Sequence, residues 1–336
     1  QETITREARR PDWLNSAIDT LGQRIMTHIN ASADVNPVNL LSLALLGTAR
    51  HAMGEKQLAR QIRLYLSLLS NKPTPERVTV TEKSAEEIIV YGFDMKILRR
   101  QEHVLGDIIS LVPERAVSLT FFRNNIAHLM ALPSLVACCF LEHRKFQIQH
   151  LHKFAIIIQP FLKAELFTPW GQRQITRALD DSIEQLVQNG LLIREDDGET
   201  LSRAKNNPEA VLQLNILAHS ILQTIHRYLI TISILAKSGS GVLSRGELEN
   251  LCIQTAQRIS MQQEFNAPEF YDKALFKQFI SELRKTGYVS PNQENKLVFD
   301  ERLEQISQDA KFILGEEIRL EIDRQTPVAE ETEQPG

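Results

Sequence analysis

The chain has 336 residues, 43% of them hydrophobic and 24% charged, with a net charge of −4 and a pI near 6.2. That length accommodates one large domain or two to three small ones with sizeable cores, and the charge provides no overall attraction to nucleic acid or anionic lipid. Cys138, Cys139 and Cys252 are too few and too irregularly spaced for a disulfide framework; buried reduced thiols and a cytosolic compartment are expected. The opening at Gln1 lacks a basic and then apolar leader, so no secretory signal is expected. The missing initiator methionine is read as processing or excision from something longer.

Helical periodicity dominates. After Pro11 and Asp12, the residues Leu14, Ile18, Leu21, Ile25 and Ile29 recur at helical spacing and predict a helix with a core-facing stripe. Leu58, Ile62, Tyr65 and Leu69 predict another, ending before Asn71, Lys72 and Pro73. Ser84 and Glu87 form a capping box ahead of Ile88. Segments 96–103 and 107–112 alternate around Gly106 and predict a hairpin. Leu151, Phe154, Ile158, Phe161 and Leu166 form a long stripe with a kink expected at Pro160. Leu217, Ile221, Ile225, Tyr228, Ile232 and Leu235 predict the longest helix, carrying His219 and His226 two turns apart. Ser244 with Glu247 caps the next one. The polar, acidic segment 324–336 contains two prolines and is expected to be disordered.

One pattern repeats. IEQLVQNG over 183–190 is matched by ISELRKTG over 280–287. Each ends a helix at glycine, the residue best suited to a left-handed cap. Each also precedes a hairpin, turning at Asp197 and Gly198 in the first copy and at 292–295 in the second. Helix, glycine and wing in that order predict two winged-helix-like units. The expected fold is mainly α, a helical array with short β-hairpins. Its expected segments are 1–112 (helical, ending in a hairpin), 113–240 (with the first winged unit), 241–323 (the second) and the tail 324–336.

Local catalytic signatures are few. There is no Gly-x-Ser-x-Gly elbow and no phosphate loop; the SGSG run at 238–241 follows a helix, lacks a lysine after it, and reads as a linker. His150 and His152 would need partners from elsewhere to hold a metal and read as exposed helix residues. No metal or cofactor is expected. Cys138 and Cys139 in apolar surroundings would have raised pKa values and be poor nucleophiles. A duplex-reading helix needs basic residues, yet the first unit carries Asp180, Asp181 and Glu184 on its helix and Glu195, Asp196, Asp197 and Glu199 on its wing. The second is milder, with Lys273, Lys277, Arg284 and Lys285 beside Asp272 and Glu282. Protein packing is the expected use of both units, and nucleic acid is not an expected partner.

The stretch 121–144 reads FFRNNIAHLMALPSLVACCFLEHR, a polar cluster running into an uncharged segment. Leu129–Leu141 would span about 20 Å as a helix against about 30 Å of hydrocarbon, and Pro133 would interrupt it. It reads as a buried core helix or as a membrane-surface or partner-facing segment. Arg123, Asn124, Asn125 and His128 are the candidate site residues. They would either satisfy nearby carbonyls or a carboxylate, or contact substrate or another domain.

FFRNNIAHLMALPSL resembles a block in the C-terminal half of bacterial membrane-associated glycerol-3-phosphate O-acyltransferases. RPDWL at 10–14, IMTHIN at 25–30, GDII at 106–109, LKAELF at 162–167, Arg227 with Tyr228, NAPEFYDKA at 266–274 and GYVS at 287–290 resemble the same family in the same order. The resemblance implies acyl transfer from acyl-CoA or acyl-acyl-carrier protein to glycerol 3-phosphate, at the cytoplasmic face of the inner membrane. The family's catalytic motif is His-x-x-x-x-Asp, and none of the nine histidines has an aspartate five positions on; His103 to Asp107 is one residue short. The resemblance therefore covers the region downstream of the catalytic domain, with 1–112 leading from it, and implies a non-catalytic scaffold that is inactive alone. Two other readings are a stand-alone winged-helix interaction or DNA-binding protein and a membrane-anchoring module.

Overall fold

One supersecondary unit occurs three times. The computed structural model describes residues 11–70, 77–204, 206–262, 268–310 and 313–325. After α1 (Asp12–Asn30) and β1 (Asp34–Val35), the first unit runs α2 (Pro37–Leu46), β2 (Ala52–Gly54) and α3 (Glu55–Ser70). Next come β3 (Thr79–Val80), which pairs in parallel with β1, then α4 (Ala85–Asp94), β4 (Leu98–Gln101) and β5 (Ile108–Leu111). α5 (Pro113–Ala127) and a 3-10 turn at His128–Met130 lead into the second unit. It comprises α6 (Ala131–Cys139), β6 (Lys145–Gln147), α7 (Ile148–Leu166), α8 (Ile175–Gln188), β7 (Leu192–Arg194) and β8 (Thr200–Arg203). α9 (Pro208–Ala218) connects to the third: α10 (Leu222–Ser238), α11 (Arg245–Gln262), α12 (Lys273–Lys285), β9 (Val289–Pro291) and β10 (Leu297–Phe299). α13 (Glu301–Ala310) and α14 (Glu316–Gln325) follow.

In each unit the last strand of the hairpin is central. The sheet orders are β2-β5-β4 and β6-β8-β7, all antiparallel. In the third unit β10 pairs with β9 on one side, and Lys296, just before it, bridges Ser244 on the other. Helix, strand, helix, helix and wing is the winged-helix order, so the described residues hold three such units where two were expected.

The shared cap shows why one was missed. Gly190 and Gly287 lie at φ +71° and +75°; their amides reach Val187 O and Arg284 O at 2.9 and 3.2 Å, and the following amides reach Leu186 O and Leu283 O, both at 3.0 Å. Lys96 makes the same two-bond Schellman cap at φ +55°, with Lys96 N to Phe93 O at 2.9 Å and Ile97 N to Gly92 O at 3.1 Å. The left-handed position is filled by lysine, so the glycine signal is absent.

Buried side chains from Val35 to Ile322 form one hydrophobic cluster, with members on both sides of positions 112 and 240. Tyr228 of α10 stacks on Phe279 of α12 at 4.4 Å, and Phe161 of α7 meets Phe279 edge-on at 4.8 Å, joining the second and third units. α10, which precedes the expected boundary at 240, supplies the first helix of the third unit. The hairpin expected at 96–112 and the capping boxes at Ser84 and Ser244 are present. Every residue of α6 is buried, as expected for a core helix. Pro133 sits in its first turn, where an amide has no helical acceptor to lose. Among the described residues no helix is long and apolar enough to cross a membrane.

Three expectations are corrected. The stripe from Leu217 to Leu235 is two helices, because Ile221 leaves helical geometry at φ −132° and separates α9 from α10. His219 and His226 therefore do not share a helix. Arg324 and Gln325 belong to α14; the rest of the tail, 326–336, lies outside the described residues. Finally, the α1 stripe does not face the core: Ile18, Leu21, Ile25 and Ile29 are exposed and Leu14 is half-buried. α1 packs through its amides instead, with Gln23 Nε2 donating to Lys163 O at 3.0 Å and Asn30 Nδ2 to Leu166 O at 2.8 Å.

Candidate functional site

A cavity of about 630 Å³ opens where α1, α5, the end of α7 and the start of α10 converge. Arg123, Asn124, Asn125 and His128 all line it, so the structure brings the four expected residues to one place. Asn124 and Asn125 are exposed, whereas Arg123 and His128 are buried. α5 is positioned from below by Asn39 of α2, whose Nδ2 donates to Phe122 O at 2.7 Å. Asn39 also completes a reciprocal cap with Asn36, which fixes the start of α2.

Arg123 donates from Nε and an Nη to Asn124 Oδ1, at 3.1 and 3.0 Å. His51, in the turn before β2, has its pKa lowered by burial and then by the positive charge of Arg123. His128 Nε2 lies 3.0 Å from Asn30 O. A carbonyl can only accept, so this nitrogen carries the proton. Burial pushes the His128 pKa down to about 4 against the smaller opposing effect of that bond, leaving a neutral imidazole near pH 7.

The opposite wall holds residues the sequence did not single out as a site. Glu165 at the end of α7 pairs with buried Arg227 of α10. The same carboxylate accepts from Thr224 Oγ1 at 3.0 Å and Tyr228 Oη at 2.8 Å. Burial, then the Glu165 charge, raises the Tyr228 phenol well above its usual range, so it remains a donor. Glu165, Arg227 and Tyr228 all fall in segments that carry the family resemblance, but nothing local signals that positions 62 apart will meet.

This arrangement holds a junction and presents polar groups to a cavity. Its charged groups are arginine and carboxylate, and its histidines, buried His128 and half-buried His219, both have lowered pKa values, chiefly through desolvation. Among the described residues no group of three or more His, Cys, Asp or Glu is placed to hold a metal ion. His152, considered for metal binding, pairs with Asp180 at 2.7 Å on the surface, far in sequence from the cavity block. Cys138 and Cys139 are fully buried; burial raises both thiols, Cys139 to about 12.

Residues 1–292 match the family model described as the glycerol-3-phosphate acyltransferase C-terminal region. A glycerol-3-phosphate acyltransferase from Xanthomonas campestris pv. campestris is 46% identical over 322 residues, covering 95% of this chain and 36% of the relative. One from Xylella fastidiosa is 44% identical over 325 residues, covering 96% of this chain and 38% of the relative. One from Pseudomonas entomophila is 38% identical over 314 residues, covering 93% and 38%. The chain thus spans little more than a third of the length of the curated relatives it matches. With a family match over most of its residues, the chain belongs to the glycerol-3-phosphate acyltransferase family and corresponds to its C-terminal region.

Proposed function

We propose that this chain is the non-catalytic C-terminal scaffold of a glycerol-3-phosphate 1-O-acyltransferase. The whole enzyme would move an acyl group from acyl-CoA or acyl-acyl-carrier protein to the 1-hydroxyl of glycerol 3-phosphate, the first step of phospholipid synthesis. The observation that carries this reading is the match of residues 1–292 to the family's C-terminal region. It is supported by the sequence, in which no histidine has an aspartate five positions on to serve as an oriented general base. On this reading the substrates are met through the catalytic portion, and the protein works peripherally at the cytoplasmic face of the inner membrane. The three winged units serve packing, since the acidic face of α8 disfavours a phosphate backbone.

Acyl incorporation from labelled acyl-CoA into lysophosphatidic acid tests the assignment. The longer polypeptide containing this chain is expected to turn over, and the 336-residue chain alone is not. Turnover by the chain alone would remove the scaffold reading. Arg123→Ala in the longer polypeptide is expected to lower activity or thermal stability; no change in either would leave the cavity block without a role.

A further inference from the structure

α1 is an amphipathic helix seated by the wrong face for a core element. Gln23 and Asn30 hold it to α7 carbonyls. On the other side Ile18, Leu21, Ile25 and Ile29 are between 49% and 59% exposed. Ile29 and the 66%-exposed Phe121 line the same cavity, so the apolar strip continues onto α5 at the start of the 121–144 stretch. Contiguous exposed apolar surface of this kind marks an interaction site. Anchors at i, i+3, i+7 and i+11 are the pattern a helix presents to an apolar groove.

The occupant can be narrowed by chemistry. Residues 1–10 contain one large aliphatic side chain, Ile4, which is too little apolar surface to cover four anchors. An anionic lipid surface would favour lysine and arginine along the polar side, but α1 has Arg24 as its only lysine or arginine, against Asp12 and Asp19. The relatives, by contrast, carry nearly two-thirds of their length outside the part matched by this chain. We propose that the apolar face of α1 is the docking surface for that remaining portion of the same polypeptide, which would present a complementary apolar groove. The proposal rests on the reading of this chain as one region of a longer acyltransferase.

Site-specific thiol labelling tests it, because all three native cysteines are buried. Ile25→Cys would be reacted with a maleimide in the 336-residue chain and in the longer polypeptide, both in the same detergent without added lipid, and followed at that peptide by mass. Labelling is expected to be at least about tenfold slower in the longer polypeptide, as for a site reached only through local opening. Equal rates would overturn the proposal. So would slow labelling of the chain alone that deepens with its concentration, which would indicate a second copy, or slowing only on addition of phosphatidylglycerol vesicles, which would indicate lipid. Acyl transfer measured on the same preparations separates the two ideas. Activity with an unprotected Ile25→Cys sinks the docking surface alone, and protection without activity sinks the enzymatic reading alone.

Discussion

His128 Nε2 donates to the carbonyl of Asn30 at 3.0 Å across 98 positions of sequence, while Asn30 itself donates to Leu166 O at 2.8 Å. One residue at the end of α1 thus ties the α5–α6 corner to the end of α7. The bond needs a neutral or charged imidazole that keeps its Nε2 proton, and burial selects the neutral form.

Acid should therefore loosen the molecule. Burial lowers His128 to about 4 and His226 to about 3, with His219 nearby adding to the latter. In the unfolded chain histidine titrates near 6.5, so below about pH 6.5 the unfolded state binds more protons and stability falls as pH falls. The stabilisation is complete above that value and is lost progressively toward pH 4. At pH 5 the loss is about 2 kcal/mol for each of these two histidines. Thermal unfolding at constant ionic strength should show a falling midpoint from pH 7.5 to 5, and a flat profile would contradict it. His128→Gln keeps a donor without a titration and should flatten part of the slope.

The Glu165–Arg227 pair should behave as a buried pair does. Arg227→Met leaves the carboxylate without its cation, at a cost of about 3 kcal/mol. Adding Glu165→Gln should recover much of that, because the remaining group is neutral. Its one carbonyl oxygen accepts from one of the two hydroxyls, Thr224 and Tyr228, that now donate to different carboxylate oxygens, and its amide N–H donates to the other. Urea unfolding of both single variants and the double variant measures the coupling; strict additivity would mean that the pair is not energetically linked.

Lys96 should be improvable. Lys96→Gly removes a left-handed side chain from the first unit's cap and should stabilise by about 0.5–1 kcal/mol. Gly190→Ala and Gly287→Ala should destabilise by about 1–2 kcal/mol at the equivalent caps. Denaturant midpoints of the three variants decide it, and the same sign for all three would refute the shared-cap assignment.

Gly92 is required for a different reason, which is close approach. A Cβ there would stand 2.5 Å from Leu98 Cδ1 and 2.7 Å from Leu41 Cδ1, both of buried side chains. Gly92→Ala should cost about 1–3 kcal/mol through forced repacking. A denaturant midpoint equal to that of the parent protein would show that the contact relaxes freely.

The thiols should be silent in the native state. Burial raises Cys139 and Cys252 to about 12, and it also raises Cys138 well above the usual thiol range. Reaction with Ellman's reagent should track global unfolding, and a fast phase without denaturant would expose a local opening around α6 or α11.

Much of the helical layout was legible locally. Leu58, Ile62, Tyr65 and Leu69 are all buried at the spacing that announced them, and the Ser84 and Ser244 boxes are read from four consecutive residues. β2 and β6, at three residues each, are too short to show alternation. They are strands only because β5 and β8 lie beside them. The Arg123–His128 wall of the cavity could be found because a charge and two amides ran into an apolar segment. The Glu165–Arg227 wall could not, because its members meet through the packing of α7 on α10.

α1 separates the two kinds of information most cleanly. Its sequence alone determined that it would be a helix with an apolar stripe at Ile18, Leu21, Ile25 and Ile29. Which side faces inward was decided by the tertiary structure, through carbonyls of α7 more than 130 positions away that accept from Gln23 and Asn30. Periodicity records that a face is apolar, but the partner that covers it is set by what lies beside it in space.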